Sequence, residues 1–378
     1  MIPYGKQTLD ADDIEAVVSV LRSDYLTTGP LVERFEHAFA RVVGAPHAVA
    51  VSSGTAALHC AVAALGISPG DEVIVPPMTF AATANCVIYQ GGVPVFADVA
   101  PDTLLISPEA VEACVTERTR AVIAVDYAGQ PCDYQALGAL CSNKGLALVA
   151  DACHSLGATR DARPVGTLAD LTAFSFHPVK PITTGEGGMV TTGDAAMATA
   201  LRTIRNHGIS ADHRQRSEQC SWVYEITRTG FNYRLSDIHC ALGLSQLGKL
   251  AAFTERRTQI AARYQEAFAT SSVQPLALSP DASHSYHLFV IRLPAGMDRG
   301  VAFKRLHAAG VGVNVHYIPV YLHPLYRDLL GYGPGLCPNA EAAYERILSL
   351  PVFPSMTDRQ VEDVICEVLK LTEDGATG

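Results

Sequence analysis

The chain has 378 residues, 48% hydrophobic and 17% charged, with a net charge of −10. These proportions describe a well-buried globular enzyme of roughly two or three domains and exclude a disordered or fibrous chain. The acidic balance, without any basic run, argues against nucleic acid as a partner, and no stretch nears the roughly 18 apolar residues of a membrane span.

The start, Met1-Ile-Pro-Tyr-Gly-Lys, lacks the charged head and apolar run of a secretory signal, so a cytoplasmic protein is expected. Ten cysteines without a C-x-x-C pair, among them Cys60, Cys86 and Cys240 in apolar segments, read as reduced core residues. His284 and His287 have a metal-compatible spacing but no third ligand beside them, so no metal is expected.

In chain order, Asp10 is placed to cap a helix running to Leu21, with Ile14, Val17, Val18 and Leu21 as its apolar stripe. A turn at Asp24-Tyr-Leu-Thr-Thr-Gly-Pro30 precedes a second helix carrying Leu31, Phe35, Phe39 and Val42. The apolar strand His47-Ala-Val-Ala-Val51 runs into Ser52-Ser-Gly-Thr-Ala-Ala57 and a helix rich in alanine and leucine. Strands are then expected at 72–76, 94–98, 121–125, 147–151, 171–176 and 188–192, with helices at 80–89, 108–115 and 134–144. Continuously apolar strands alternating with helices predict a mainly parallel sheet covered on both faces, an α/β fold. After about residue 240 the texture changes to a helix at 242–268 broken near Lys249, a strand at 287–293 and a helix at 301–309. A strand at 311–317 and closing helices at 339–348 and 358–371 follow. The expected organisation is a large α/β domain over 1–250, with its N-terminal segment, and a smaller C-terminal α+β domain over 251–378.

One stretch organises the rest: Phe174-Ser-Phe-His-Pro-Val-Lys180-Pro-Ile-Thr-Thr-Gly-Glu-Gly-Gly-Met-Val190, strand-like, then glycine-rich. No acidic residue follows Lys180 until Glu186. A lysine in a desolvated pocket loses proton affinity and becomes an amine nucleophile that can join an aldehyde as a Schiff base. The plain alternative is a solvated lysine at a strand end. Ser52-Ser-Gly-Thr55 leads a strand into a helix whose unpaired N–H groups and dipole suit a phosphate, unless it serves only as a cap. Asp151 ends an expected strand, where ligands of open α/β sheets gather; it either pairs with a cationic ring nitrogen or caps the next element. Ser175, on one strand face with His177, can add a hydroxyl to the phosphate cup. Together these features match a cofactor with a phosphate, a basic ring nitrogen and an aldehyde, which is pyridoxal phosphate.

With Asp151-Ala-Cys-His-Ser-Leu-Gly-Ala158, Arg205-Asn-His-Gly208 and Gly230-Phe-Asn-Tyr-Arg-Leu235 added, the chain resembles the sugar-nucleotide aminotransferases of the DegT/StrS group from Tyr4 to the last helix. The resemblance implies the type I, aspartate aminotransferase-like pyridoxal phosphate fold. Carried onto this sequence, it makes Lys180 the Schiff-base lysine and general base, and Asp151 the partner of the ring nitrogen. Thr55, Ala56 and Ser175 become phosphate contacts, Phe80 the aromatic stacked on the ring, and His154 a side chain near the ring's other face or its hydroxyl. It sends Asn232 to the phosphate of a neighbouring subunit, which implies a homodimer with shared active sites. Some relatives with histidine at the lysine position are sugar dehydratases; lysine here favours transamination, since an amine must shuttle the proton.

Within the group, Tyr4, Tyr25-Leu-Thr-Thr-Gly29, Val125-Asp-Tyr-Ala-Gly129 and Val315-His-Tyr-Ile-Pro-Val-Tyr321 are most similar to enzymes of the pseudaminic acid pathway. That similarity implies transfer from L-glutamate to C4 of a UDP-linked 4-keto-6-deoxy-N-acetylhexosamine. It makes Tyr4, Tyr25, Leu26, Thr27, Thr28, Val313, Asn314, Val315 and His316 contacts to the nucleotide sugar. The alternatives are an aminotransferase for another nucleotide-linked 3- or 4-ketosugar, a lyase or dehydratase on the same scaffold, and a cofactor-binding regulator.

Overall fold

The computed structural model describes residues 1–210, 216 and 220–374. Its strands are β1 (His47–Val51), β2 (Glu72–Val75), β3 (Val93–Phe96), β4 (Thr119–Val125), β5 (Ala147–Asp151), the short pair β6 (Thr159–Arg160) and β7 (Arg163–Pro164), β8 (Leu171–Ser175), β9 (Gly188–Thr192), β10 (Gln274–Pro275), β11 (Phe289–Arg292) and β12 (Ile347–Leu350). The helices are α1 (Ala11–Leu21), α2 (Pro30–Val43), α3 (Gly54–Ala64), α4 (Ala82–Tyr89), α5 (Pro108–Cys114), α6 (Tyr134–Lys144) and α7 (Ala195–Ile204). They continue as α8 (Asp237–Leu247), α9 (Leu250–Phe268), α10 (Arg299–Ala308), α11 (Pro324–Leu330), α12 (Pro338–Tyr344) and α13 (Asp358–Asp374).

Seven strands form one sheet in the order β1-β9-β8-β5-β4-β2-β3. Every neighbouring pair from β3 to β8 is parallel, and β9 lies antiparallel to both β8 and β1. Such strands are buried on both faces, which explains why Val73-Ile74-Val75 and Val122-Ile123-Ala124 read as unbroken apolar runs. With β9 against it, the sheet is the α/β arrangement of the type I pyridoxal phosphate fold. One face carries α3, and the other carries α2, whose Phe35 and Phe39 pack on Phe174 and Phe176. Residues from 250 onward build a second apolar cluster around the antiparallel sheet β10-β11-β12, with α9, α10 and α13 supplying Ile260, Tyr264, Leu306 and Val364. The chain's start joins this cluster, as Ile2 bridges to Val311.

Three expectations change. Asp10 does cap α1, but Ile14 and Leu21 are 62% and 57% exposed, and the buried face carries Asp13 and Val20. The reason is polar: Asp13 accepts from Gln246 Nε2 at 2.7 Å and pairs with Lys249 at 2.9 Å, and these bonds fix which face of α1 meets α8. The expected helix over 339–348 stops at Tyr344, and Ile347–Leu350 becomes β12, paired along β11 and buried on both faces. The expected strand over 311–317 makes only the bridges Ile2↔Val311 and Asn314↔Ser349.

Candidate active site

Three strand ends meet in register at one edge of the large sheet. Asp151 closes β5 opposite Ala173 of β8, while Ser175 closes β8 opposite Gly188. Gly188 in turn stands opposite Val51, the last residue of β1. Because β9 runs antiparallel, the loop joining β8 to β9 leaves and re-enters this same edge, and Lys180 is on it. Thr183 Oγ1 donates to Phe176 O at 3.0 Å, and Lys180 N donates to His177 O at 2.9 Å, so the loop's path is pinned on both sides of the lysine. Glycine is required where backbones touch: a Cβ on Gly188 would lie 2.4 Å from Ser53 O. One on Gly54 would lie 2.7 Å from the Ser175 Cβ.

The turn into α3 is thus pressed against the end of β8. Ser53 Oγ takes the Ala56 N–H at 3.0 Å, leaving the Gly54 and Thr55 N–H groups without intrahelical partners beside the Ser175 hydroxyl. Across the edge, the Asp151 carboxylate is 6% exposed and doubly held. Thr83 Oγ1 donates to its Oδ2 at 2.8 Å, and the Cys153 N–H reaches its Oδ1 at 3.3 Å. Phe80, just before α4, presents a ring 62% exposed, with Tyr317 at 6.3 Å between centroids.

Lys180 is half-buried. Burial lowers its proton affinity below the usual lysine value, while neighbouring Cys153 and Asp151 pull it back up. His154 is buried against His287, ring centroids 4.3 Å apart, with its Nε2 3.2 Å from the Tyr317 hydroxyl. Desolvation first, then the charge of Lys180, push His154 well below an ordinary imidazole. His316 is pushed down to about 4, again by burial and then by Lys180. Its Nδ1 lies 2.8 Å from Ser349 Oγ, its ring packs on Tyr4, and its carbonyl accepts from the Tyr127 hydroxyl. The lysine therefore sits among neutral imidazoles and one carboxylate.

Of the residues singled out from sequence, Thr55, Ala56, Asp151, Ser175, Lys180 and His154 gather at this edge, and Tyr4 and His316 adjoin it. Val313 is a core residue, 3% exposed, and Asn314 exchanges backbone hydrogen bonds with Ser349 while its Oδ1 accepts the Val315 N–H. The turn at Tyr25, Leu26, Thr27 and Thr28 is exposed and anchored elsewhere, through Asp237, which accepts from Gly29 N at 2.7 Å. Asn232 is exposed too, bridged to Asn206 beside Tyr233, whose carbonyl accepts from Ser52. Sequence reasoning missed Thr83 and Tyr317. The signal for Thr83 was a threonine pair, Thr79 and Thr83, at helical spacing in an otherwise apolar stretch, joined at 2.7 Å. Among the described residues no cluster of three metal-binding side chains occurs, and no helix is long and apolar enough to cross a membrane.

A lysine-bearing loop, a buried carboxylate and an open helix start converge at the carboxyl edge of this sheet, and the family match adds the class, an aminotransferase of the type I pyridoxal phosphate fold. Residues 7–369 match the DegT/DnrJ/EryC1/StrS aminotransferase family, and the chain belongs to it. The chain is 43% identical over 373 residues to the spore coat polysaccharide biosynthesis protein SpsC of Bacillus subtilis, a match covering 96% of this chain and 95% of that one. The PLP-form structure of Spr1654 from Streptococcus pneumoniae superposes with a TM-score of 0.93 at 32% identity, covering 99% of each chain. PseC of Helicobacter pylori, an aminotransferase involved in the biosynthesis of pseudoaminic acid, gives 0.92 at 33% identity, also covering 99% of each. The protein is a pyridoxal phosphate-dependent sugar aminotransferase.

Proposed function

We propose that this enzyme transfers an amino group from L-glutamate to C4 of a UDP-linked 4-keto-6-deoxy-N-acetylhexosamine, as in pseudaminic acid synthesis, and that it works in the cytoplasm. The observation that carries the residue roles is the convergence of Lys180, Asp151 and the Gly54–Thr55 turn on one edge. The residues fit the cofactor: the closeness of Gly54 to Ser175 leaves a cradle that a single Cβ would fill, and the exposed Phe80 ring offers a stacking face. When bound, pyridoxal phosphate supplies an electron sink for loss of a proton from the amino-bearing carbon.

The chain's own residues would divide the remaining work. The N–H groups at the start of α3, at Thr55 and Ala56, with the Ser175 hydroxyl, would hold the phosphate, with Ser53 yielding its bond to Ala56. Asp151, oriented by Thr83, would keep a proton on the ring nitrogen. Lys180, deprived of proton affinity by burial, would accept the proton from the donor and return it to the acceptor. His154 would face the ring as a neutral imidazole. Tyr4, the 25–28 turn and the 313–316 segment, the Val313 side chain itself lying in the core, would contact the nucleotide sugar, with Asn232 and its turn serving a partner's site in a homodimer. Exposure of Asn232 and of the 25–28 turn supports that sharing. A division of the chain into domains 1–250 and 251–378 is supported by the break between α8 and α9, close to that boundary.

The similarity to PseC supports the sugar assignment. The higher identity to SpsC, 43% against 33%, favours a second reading in which the acceptor is another nucleotide-linked 3- or 4-ketosugar. Absorbance of the cofactor-loaded protein tests the common part: L-glutamate should bleach the yellow band. A panel of UDP- and dTDP-ketosugars should then restore it, and restoration only by a non-UDP or 3-keto sugar would overturn the first reading.

A further inference from the structure

Behind Lys180, between its loop, the chain's N-terminal segment and α9, lies a narrow cleft of about 10 Å³, room for a single particle about the size of a water molecule. Three basic side chains line it, Lys6, Lys180 and Arg257, and no acidic one does among the described residues. Arg257 is 2% exposed. Its Nη1 donates to Tyr286 O at 3.1 Å and Val352 O at 2.7 Å, both neutral carbonyls. Its Nε finds no acceptor, and among the described residues no carboxylate pairs with it. The hydroxyl of Thr8, on the same cleft, is also buried without a partner. Gln246 cannot serve either group, because its amide is committed to Thr183 N, Thr8 O and Asp13.

A buried guanidinium without a counter-charge is among the costliest arrangements a fold can hold, and burial alone depresses Arg257 to about 10. Phe253 and three prolines form the apolar part of the wall and strengthen the field inside, beside the neutral polar Gln7 and Thr183, whose hydroxyl is committed to Phe176 O. We propose that this cleft binds a small monovalent anion of halide size, held by the Arg257 guanidinium and the Thr8 hydroxyl. The site lies outside the roles assigned above to Asp151 and the α3 turn and does not depend on the identity of the sugar. Its consequence is electrostatic: the anion balances Arg257 and sits beside the lysine.

Crystals of the cofactor-loaded protein grown in sodium bromide test this directly. An anomalous bromine peak within hydrogen-bonding reach of the Arg257 guanidinium is expected; water there, or no density at saturating bromide, overturns the proposal. In solution, chloride or bromide at about tenfold its dissociation constant should raise Tm by roughly 2–3 °C over sodium gluconate at the same ionic strength. Thr8→Val, which removes one neutral donor, should shift the halide midpoint upward about tenfold. An equal rise with gluconate, or a midpoint unmoved in Thr8→Val, counts against the site even if Arg257→Gln fails to fold.

Discussion

Thr83→Val isolates what orients the buried carboxylate. Thr83 is fully buried, its hydroxyl donates to Asp151 Oδ2 at 2.8 Å, and the Thr79 hydroxyl stands 2.7 Å behind it. Valine keeps the shape and removes only the hydroxyl. Among the described residues the other partner of this carboxylate is Cys153, whose N–H goes to the opposite oxygen at 3.3 Å and whose weakly donating thiol also reaches the carboxylate. A hydrogen bond to a charged acceptor contributes about 1.5–3 kcal/mol, and 1.4 kcal/mol is about tenfold. If Asp151 must be held in place for the ring nitrogen, the half-reaction with L-glutamate should slow roughly 10–100-fold. Stopped-flow absorbance of cofactor-loaded protein measures that rate, and a melting curve measures the accompanying stability loss, a few degrees in Tm. Thr83→Ser, which restores the hydroxyl, should return the rate to within a few-fold. If Thr83→Val melts lower but transaminates at the wild-type rate, the bond is structural only and the argument that it orients Asp151 for catalysis fails.

Lys180→Ala should lose the half-reaction altogether while keeping the far-ultraviolet spectrum of the wild type; turnover near the wild-type rate would move the proton shuttle to another residue. Gly54→Ala brings a Cβ within 2.7 Å of Ser175 Cβ, so cofactor affinity measured by fluorescence titration should fall about tenfold or more. An unchanged affinity would show that the cradle does not hold the phosphate. Acid should destabilise the fold in a defined window. The unfolded chain takes up protons at histidine from about pH 6.5 downward. The folded His316 does so only at about 4, so stability falls as pH drops between these values. A Tm series should show that slope, shallower in His316→Asn; identical slopes in both proteins would remove His316 from the account.

The large sheet and its edge were legible because their sequence signals are local. Unbroken apolar runs mark parallel strands, and Ser52-Ser-Gly-Thr55 announces both a strand end and a helix start. Lys180 stood out by its apolar company. What was not legible depended on partners far along the chain. Ile14 and Leu21 looked like the buried stripe of α1, but Gln246 and Lys249, more than two hundred residues away, choose the face through Asp13. Ile347-Leu-Ser-Leu350 reads as a continuation of a helix until β11 is beside it. Thr83 and Tyr317 belong to the site through contacts to Asp151 and His154; the Thr79 and Thr83 pair marks Thr83 locally but does not name Asp151 as its partner, and nothing local marks Tyr317.

If Lys180 shuttles protons as proposed, one requirement accounts for the charge arrangement around it. An amine that shuttles protons near neutral pH must lose most of its affinity for them, and burial supplies that loss. Asp151 opposes it, so a strongly acidic neighbourhood would return the lysine to its ammonium form. The neighbours are accordingly imidazoles rather than carboxylates: His154, His287 and His316 are polar rings that burial keeps neutral, His154 facing the Tyr317 hydroxyl and His316 the Ser349 hydroxyl. Each ring's neutrality is reinforced by Lys180, because a second cation beside an ammonium is disfavoured. The coupling works in both directions. Protonating any of these rings would lower the lysine's proton affinity further, while Cys153 and then Asp151 act against the burial. A site built this way needs that carboxylate fixed in position, and the Thr83 hydroxyl is a side chain that donates to it.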